Sequence, residues 1–147
     1  MTNNKTKIHM LSLNNLSIIR VLLEESSVIA IVGLSPKTTR PSNMVARYLI
    51  ETGYTVIPVN PGHDRILDLP CYPSISAIPG SIDIVDIFRK SEDVEPIVRE
   101  AVETDCKAIW MQQGIINHQA ARIAENSGKI VIMDRCIKID HADLIAP

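Results

Sequence analysis

The stretch Ile29-Ala-Ile-Val-Gly-Leu-Ser-Pro-Lys-Thr-Thr-Arg-Pro-Ser42 decides the fold. An apolar β-branched run stops at Gly33. A loop of small and basic residues follows, and an amphipathic helix begins near Pro41. Strand, glycine turn and helix N-terminus, in that order, is how α/β proteins build a site for phosphate groups. The second and third glycines of the dinucleotide fingerprint are missing here. Ser35, Pro36, Arg40 and Ser42 stand in the loop instead, so it is expected to hold a different ligand, or to hold it differently.

The same alternation continues on both sides of this stretch. Asn14 or Asn15 begins a helix to about Glu25, with Leu16, Ile19, Leu22 and Leu23 on one face. Val28–Val32 is a continuous apolar run, as in a strand buried on both faces. A helix over Ser42–Thr52 presents Val45, Tyr48, Leu49 and Thr52, with Pro41 in the first turn and Gly53 as its stop. Tyr54–Val59 reads as a strand closed by Asn60-Pro61-Gly62. A short extended piece (Leu69–Tyr72) and one helical turn (Ser74–Ala77) come next, then a strong strand over Ile82–Phe88. Ser91 caps a helix whose regular start is delayed by Pro96. Ala108–Met111 is a strand, Asn117 caps a helix stopped by Gly128, and Lys129–Met133 is the last strand. From Asp134 the tail reads as irregular, with a turn near His141. Strands alternating with helices of about three turns predict a Rossmann-like α/β fold, a doubly wound sheet of about five parallel strands with helices on both faces. Residues 1–11 read as a flexible polar start and 12–147 as one domain.

Composition narrows the function. The chain has 147 residues, 46% of them hydrophobic, enough for a real core. The formal charge of −2 gives no global attraction to nucleic acid or anionic membrane, so any anion site must be local. Aromatics are too few for base-stacking platforms. The N-terminal apolar segment is interrupted by polar residues and Arg20, which makes it a poor signal peptide and a poor membrane span. Cys71, Cys106 and Cys136 are odd in number and unpaired in spacing, as expected of a reducing cytoplasm. The four histidines are scattered, with no zinc spacing.

In a doubly wound sheet ligands lie beyond the carboxyl ends of the strands. Those ends carry Gly33 to Lys37, Asn60 to His63, Phe88 to Ser91, Gln112 to Gly114, and Asp134 to Cys136, a basic and amide-bearing edge on an acidic chain. Gly33 permits close backbone approach or a positive φ, or is only a tight turn. Ser35 and Ser42 offer hydroxyls near a helix N-terminus, and Lys37 or Arg40 adds charge. An NAD site wants Asp or Glu after the second strand; Asn60 stands there. Asp83 belongs at the start of its strand. Asp86, inside an apolar strand, needs partners: it pairs with Arg89 or orients backbone near the ligand. Trp110 lines the pocket or joins the core. Asp134 and Arg135 form an ion pair that anchors the tail, and Cys136 has only Arg135 beside it as an activator.

Five motifs fall at successive strand ends: Gly33-x-Ser-Pro-x-x-x-Arg-Pro-Ser42, Val56-Ile-Pro-Val-Asn-Pro61, Val85-Asp-Ile-Phe-Arg89, Trp110-x-Gln112-x-Gly114 and Met133-Asp-Arg-Cys136. Together they resemble the small CoA-binding proteins of bacteria, which look like the CoA-binding domain of the succinyl-CoA synthetase α subunit standing alone. The resemblance runs from about Glu25 to His141. It implies coenzyme A, or an acyl-CoA, laid across the strand ends, with the phosphates held by Gly33, Ser35, Pro36, Lys37, Arg40, Pro41 and Ser42. It places Val59, Asn60 and Pro61 on the adenine side, followed by a basic residue, Arg65 or His63. Phe88, Arg89 and Lys90 would meet the nucleotide or the start of the pantetheine arm, and Gln112 and Gly114 would lie further along it. The histidine-bearing second domain of the synthetase has no counterpart before Pro147, so its ligase chemistry is not carried over.

Three functions follow in order: a cytoplasmic CoA-binding module with no catalytic residue and no metal; an enzyme of thiol and CoA-disulfide chemistry using Cys136; and an NAD- or nucleotide-binding regulator. The expected partner is the small-molecule ligand, with no nucleic acid and no membrane.

Overall fold

The structure, a computed structural model, describes residues 13–146. The polar start read over residues 1–11 lies outside the described residues. In chain order the elements are α1 (Leu16–Glu25), β1 (Val28–Val32), α2 (Pro41–Glu51), β2 (Thr55–Val59), the short strands β3 (Arg65–Ile66) and β4 (Leu69–Pro70), β5 (Ile84–Ile87), α3 (Val94–Ala101), β6 (Ala108–Met111), α4 (His118–Asn126), β7 (Ile130–Ile132) and α5 (Ile137–Leu144). Single 3-10 turns occupy Ile75–Ala77 and Ser91–Asp93.

Five strands form one sheet in the order β2-β1-β5-β6-β7, every pair parallel, and β3 with β4 makes a separate antiparallel hairpin. Alternation along each strand divides the core in two. Ala30, Val32, Val85, Ile87, Ile109 and Met111 face α3 and α4, where Val94, Val98, Ala101, Ala120 and Ala124 close over them. Ile29, Ile31, Ile84, Trp110 and Ile132 face α1, α2 and α5, through Ile19, Leu23, Val45, Leu49 and Ile137. This is the doubly wound α/β architecture expected of the sequence. The chain moves from β1 outward to β2, then crosses back to β5 on the other side of β1. The switch in direction therefore lies between the carboxyl ends of β1 and β5, at Gly33 and Phe88.

Local signals set most boundaries. Asn15 caps α1, its Oδ1 accepting from the N–H groups of Ser17 and Ile18. Asn117 caps α4 through Ala120 N. Pro41 opens α2 at a position that needs no donor. Leu16, expected on the buried face of α1, is instead exposed. Ser91 does not cap α3. Its Oγ accepts from Ile116 N and its carbonyl from Asn117 Nδ2, so it ties the turn after β5 to the segment before α4. Pro96 sits in the first turn of α3, behind the 3-10 turn that delays the regular start.

Two expectations for the tail are corrected. Residues Ile137–Leu144 form a helix, not an irregular segment. Tertiary contacts make it: Ile137 is buried, Tyr48 Oη shares a 2.8 Å hydrogen bond with His141 Nδ1, and Arg135 makes two 2.7 Å bonds to Asp140. Burial holds the His141 imidazole below its usual pKa, toward the neutral form. Asp134 is not the partner of Arg135; its Oδ1 accepts from Gly114 N at 2.7 Å. The Asp140 carboxylate is buried while its arginine is one-third exposed, so solvent screens part of the pair. Asp140→Ala is expected to cost about 2 kcal/mol. Thermal melting of the variant checks this, and an unchanged midpoint would show that α5 is held without the pair.

β7 is an edge strand. Ile130 N donates inward to Lys107 O, so by alternation Met133 turns its N–H and C=O outward. The Asn14 side chain meets both, Oδ1 accepting from Met133 N and Nδ2 donating to Met133 O, each at 3.0 Å. Among the described residues, no helix is long and apolar enough to cross a membrane.

Candidate functional site

At the switch point Gly33 has φ +87°, and a Cβ placed on it would overlap the Phe88 carbonyl. The backbones of β1 and β5 thus close to a distance that only glycine allows. Gly33 N donates to Val59 O and Phe88 N to Val32 O, locking the three strand ends together.

The loop after Gly33 is braced from within. Ser42 Oγ accepts from Ser35 N at 3.0 Å, and Ser35 Oγ from Lys37 N at 3.1 Å. Asn43, fully buried, donates to Ser35 O at 2.8 Å, and Arg47 bridges Asn43 Oδ1 and Thr38 O. Asn60 Nδ2 donates to Leu34 O at 2.9 Å. Each serine hydroxyl thus gives one acceptor position to shaping the loop, and the Asn60 amide fastens it to β2.

The braced loop forms one wall of a cleft of about 490 Å³. Eleven residues singled out in the sequence line it: Gly33, Ser35, Pro36, Lys37, Arg40, Pro41, Ser42, Asn60, His63, Phe88 and Arg89. No carboxylate lines it, and among the described residues Lys37, Arg40 and Arg89 form no ion pair. Three unneutralised cations and the N-terminal turn of α2 converge on one space, which favours a polyanion.

Six expected residues lie elsewhere. Val59 and Pro61 line a neighbouring cavity of about 210 Å³, mostly apolar, that shares Arg89 with the cleft. Arg65 is in the β3–β4 hairpin and bonds Asp68 O across the turn, while His63 lines the cleft in its place. The signal for His63 was its position directly after Asn60-Pro61-Gly62, before the hairpin turns the chain away. Lys90 is exposed and outside the cleft. Gln112 is buried and turned inward, donating to Asp86 Oδ1, and Gly114 is pinned to Asp134.

Asp86 therefore pairs with Gln112 and not with Arg89. It is wholly buried, its Oδ2 has no partner, and burial pushes its pKa up to about 8, with the Gln112 bond opposing. Burial thus favours its neutral, protonated form. Trp110 is core, its Nε1 donating to Arg135 O at 2.8 Å. Asp83 sits at the start of its strand, accepting from the N–H groups of Ser27 and Val28. Those bonds and Lys107 outweigh its burial and hold it below the usual carboxylate range. Cys136 is half-buried beside a separate cavity of about 200 Å³ with Gln113, Asp134, Arg135, Ile139 and Asp140, away from the residues of the cleft.

Fold and cleft define a doubly wound α/β domain with an anion-favouring crevice at its switch point. The chain belongs to the CoA binding domain family, which matches residues 27–142. An uncharacterized protein of Bacillus subtilis, YneT, is 43% identical over 124 residues, spanning 84% of this chain and 92% of its own length. A hypothetical protein of Pyrococcus horikoshii, of known structure, superposes with a TM-score of 0.86 at 38% identity, covering 88% of this chain and 92% of the other. The ADP-forming acetate–CoA ligase I of Archaeoglobus fulgidus is 27% identical over 127 residues, which is 80% of this chain and 18% of the ligase.

Proposed function

We propose that this protein binds coenzyme A, or an acyl-CoA, at the carboxyl edge of its sheet, as a binding module without ligase chemistry. The observation that carries the reading is the cleft lined by Lys37, Arg40, Arg89 and His63 with no carboxylate among them. CoA brings a diphosphate and a ribose phosphate, and the cleft brings charge-assisted donors and a helix N-terminus to meet them. Family membership points to the same ligand. The similarity to YneT over nearly the whole length of that protein supports a module that acts by itself. NAD is disfavoured by Asn60, whose amide is committed to Leu34 O where a ribose-binding carboxylate would stand.

Arg40 flanks α2, is exposed and makes no side-chain cap bond, so removing it leaves the fold intact. Arg40→Ala is expected to weaken CoA binding by about 10-fold or more, through loss of a charge-assisted bond to phosphate. Isothermal titration of wild type and variant with CoA, beside a thermal melt of each, measures this. Equal affinities would remove Arg40 from the phosphate site. Tighter binding of NAD than of CoA to the wild type would overturn the reading itself.

A further inference from the structure

The cavity beside the phosphate cleft is unlike it in chemistry. Val32, Val59, Pro61, Pro73, Ile75 and Ile97 give it apolar walls, Arg89 joins it to the cleft, and a single carboxylate, Glu100 of α3, lies in its lining, where the slot borders a second cavity beside Ser76 and Glu103. That carboxylate is held in place. Ser76 N and Ser76 Oγ both donate to Glu100 Oε1, at 2.6 and 2.9 Å. Both bonds fall on one oxygen, and among the described residues none is made to Oε2. An acceptor on a fixed side chain is thus left in the lining of an apolar slot.

Resting on the CoA reading above, we infer that Glu100 reads the 6-amino group of the adenine base and sets the specificity of the slot for adenine over a 6-oxo purine. A carboxylate repels phosphate, so the anionic part of the ligand stays in the cleft. The adenine ring is flat and apolar on both faces, which suits walls of valine, proline and isoleucine. Arg89, shared by the two spaces, is placed to meet phosphate on one side and a ring face on the other. The 6-amino group is a donor, and a carboxylate is an acceptor only. In the same pose a 6-oxo base would set its carbonyl against that carboxylate, acceptor against acceptor, with its one neighbouring donor, N1–H, displaced from the place of the 6-amino group. A site built to bond a particular group rejects the analogue that lacks it.

The test compares CoA with its hypoxanthine analogue, in which the 6-amino group is replaced by oxygen, by isothermal titration against wild type and Glu100→Gln. Glutamine keeps an Oε1 acceptor for Ser76 and turns the second acceptor into an N–H donor, so the fold contacts survive; a thermal melt checks that they do. Wild type is expected to prefer CoA by about 10-fold or more. Glu100→Gln is expected to lose or invert that preference while still binding. Equal affinity of wild type for the two ligands overturns the inference, as does a preference that Glu100→Gln leaves unchanged. Either result leaves CoA binding standing, whereas failure of wild type to bind both ligands removes CoA binding and this inference together.

Discussion

Gly33→Ala is expected to lower the melting temperature by about 10 °C and to abolish ligand binding, from the addition of one methyl group. Two costs combine. The backbone at Gly33 has φ +87°, where an L side chain is strained by about 1–3 kcal/mol. The new Cβ would also overlap the Phe88 carbonyl, which is backbone at the end of a fully buried strand and cannot turn aside as a side chain would. Overpacking of this kind costs a further 1–3 kcal/mol, roughly. A total of about 4 kcal/mol corresponds to the stated fall for a chain of this size. Relief by spreading β1 from β5 would move Phe88 and Arg89, which line the cleft, so binding is lost in the fraction that still folds. Differential scanning calorimetry and titration with CoA give both readouts. A variant that melts with the wild type would show that the strand ends are not held as close as described.

The second large effect concerns Asp86. Its folded pKa of about 8 lies far above the ordinary carboxylate value of about 3.9. The folded state thus keeps a proton that the unfolded chain releases. Where the folded state binds more protons, stability falls as pH rises. The stability associated with this group is fully present below about pH 4, falls by about 1.4 kcal/mol per pH unit above it, and levels off beyond about pH 8. Over the window the loss is roughly 6 kcal/mol. Asp86→Asn keeps an acceptor for Gln112 and has no proton to lose in this range. Denaturant melts from pH 5 to 8.5 should show the wild type weakening steadily and the variant nearly flat, with the gap widest at the alkaline end. Parallel curves would mean that Asp86 ionises in the folded protein with a partner of its own. Gln112 is turned inward because its amide donates to the one polar side chain of β5.

How much of this was legible in the sequence depended on whether the signal was local. The strands announced themselves because burial on both faces demands unbroken runs such as Ile29–Val32. The helix caps Asn15 and Asn117 and the proline at the start of α2 are local chemistry, and the structure bears them out. α5 was missed because its reasons lie far away in the chain, in Tyr48 and in the packing of Ile137. The β3–β4 hairpin was missed because its turn uses Leu67 and Asp68 at positive φ, where Asn-Gly would have been the usual sign. That hairpin is why Arg65 points to its own turn and His63 to the cleft. Most of the loop that walls the cleft could be read because it is one contiguous segment. The inward turn of Gln112 was not legible because its partner, Asp86, comes from the neighbouring strand, and no spacing in the sequence reveals a cross-strand bond. Glu100 carried no motif and is known only from the cavity it lines.

The Asn14 amide on Met133 bears on how this protein lives at high concentration. A parallel sheet that ends in a bare strand offers each passing copy a row of donors and acceptors, and strand-to-strand growth is the route to fibres. Asn14 supplies one donor and one acceptor at the spacing of a strand, then presents no further pair, so the outward groups of Met133 are used up by a side chain that propagates nothing. Asn14 therefore acts as a stopper at the end of the sheet, and trimming the chain past it would leave the outward N–H and C=O of Met133 bare for another strand to take.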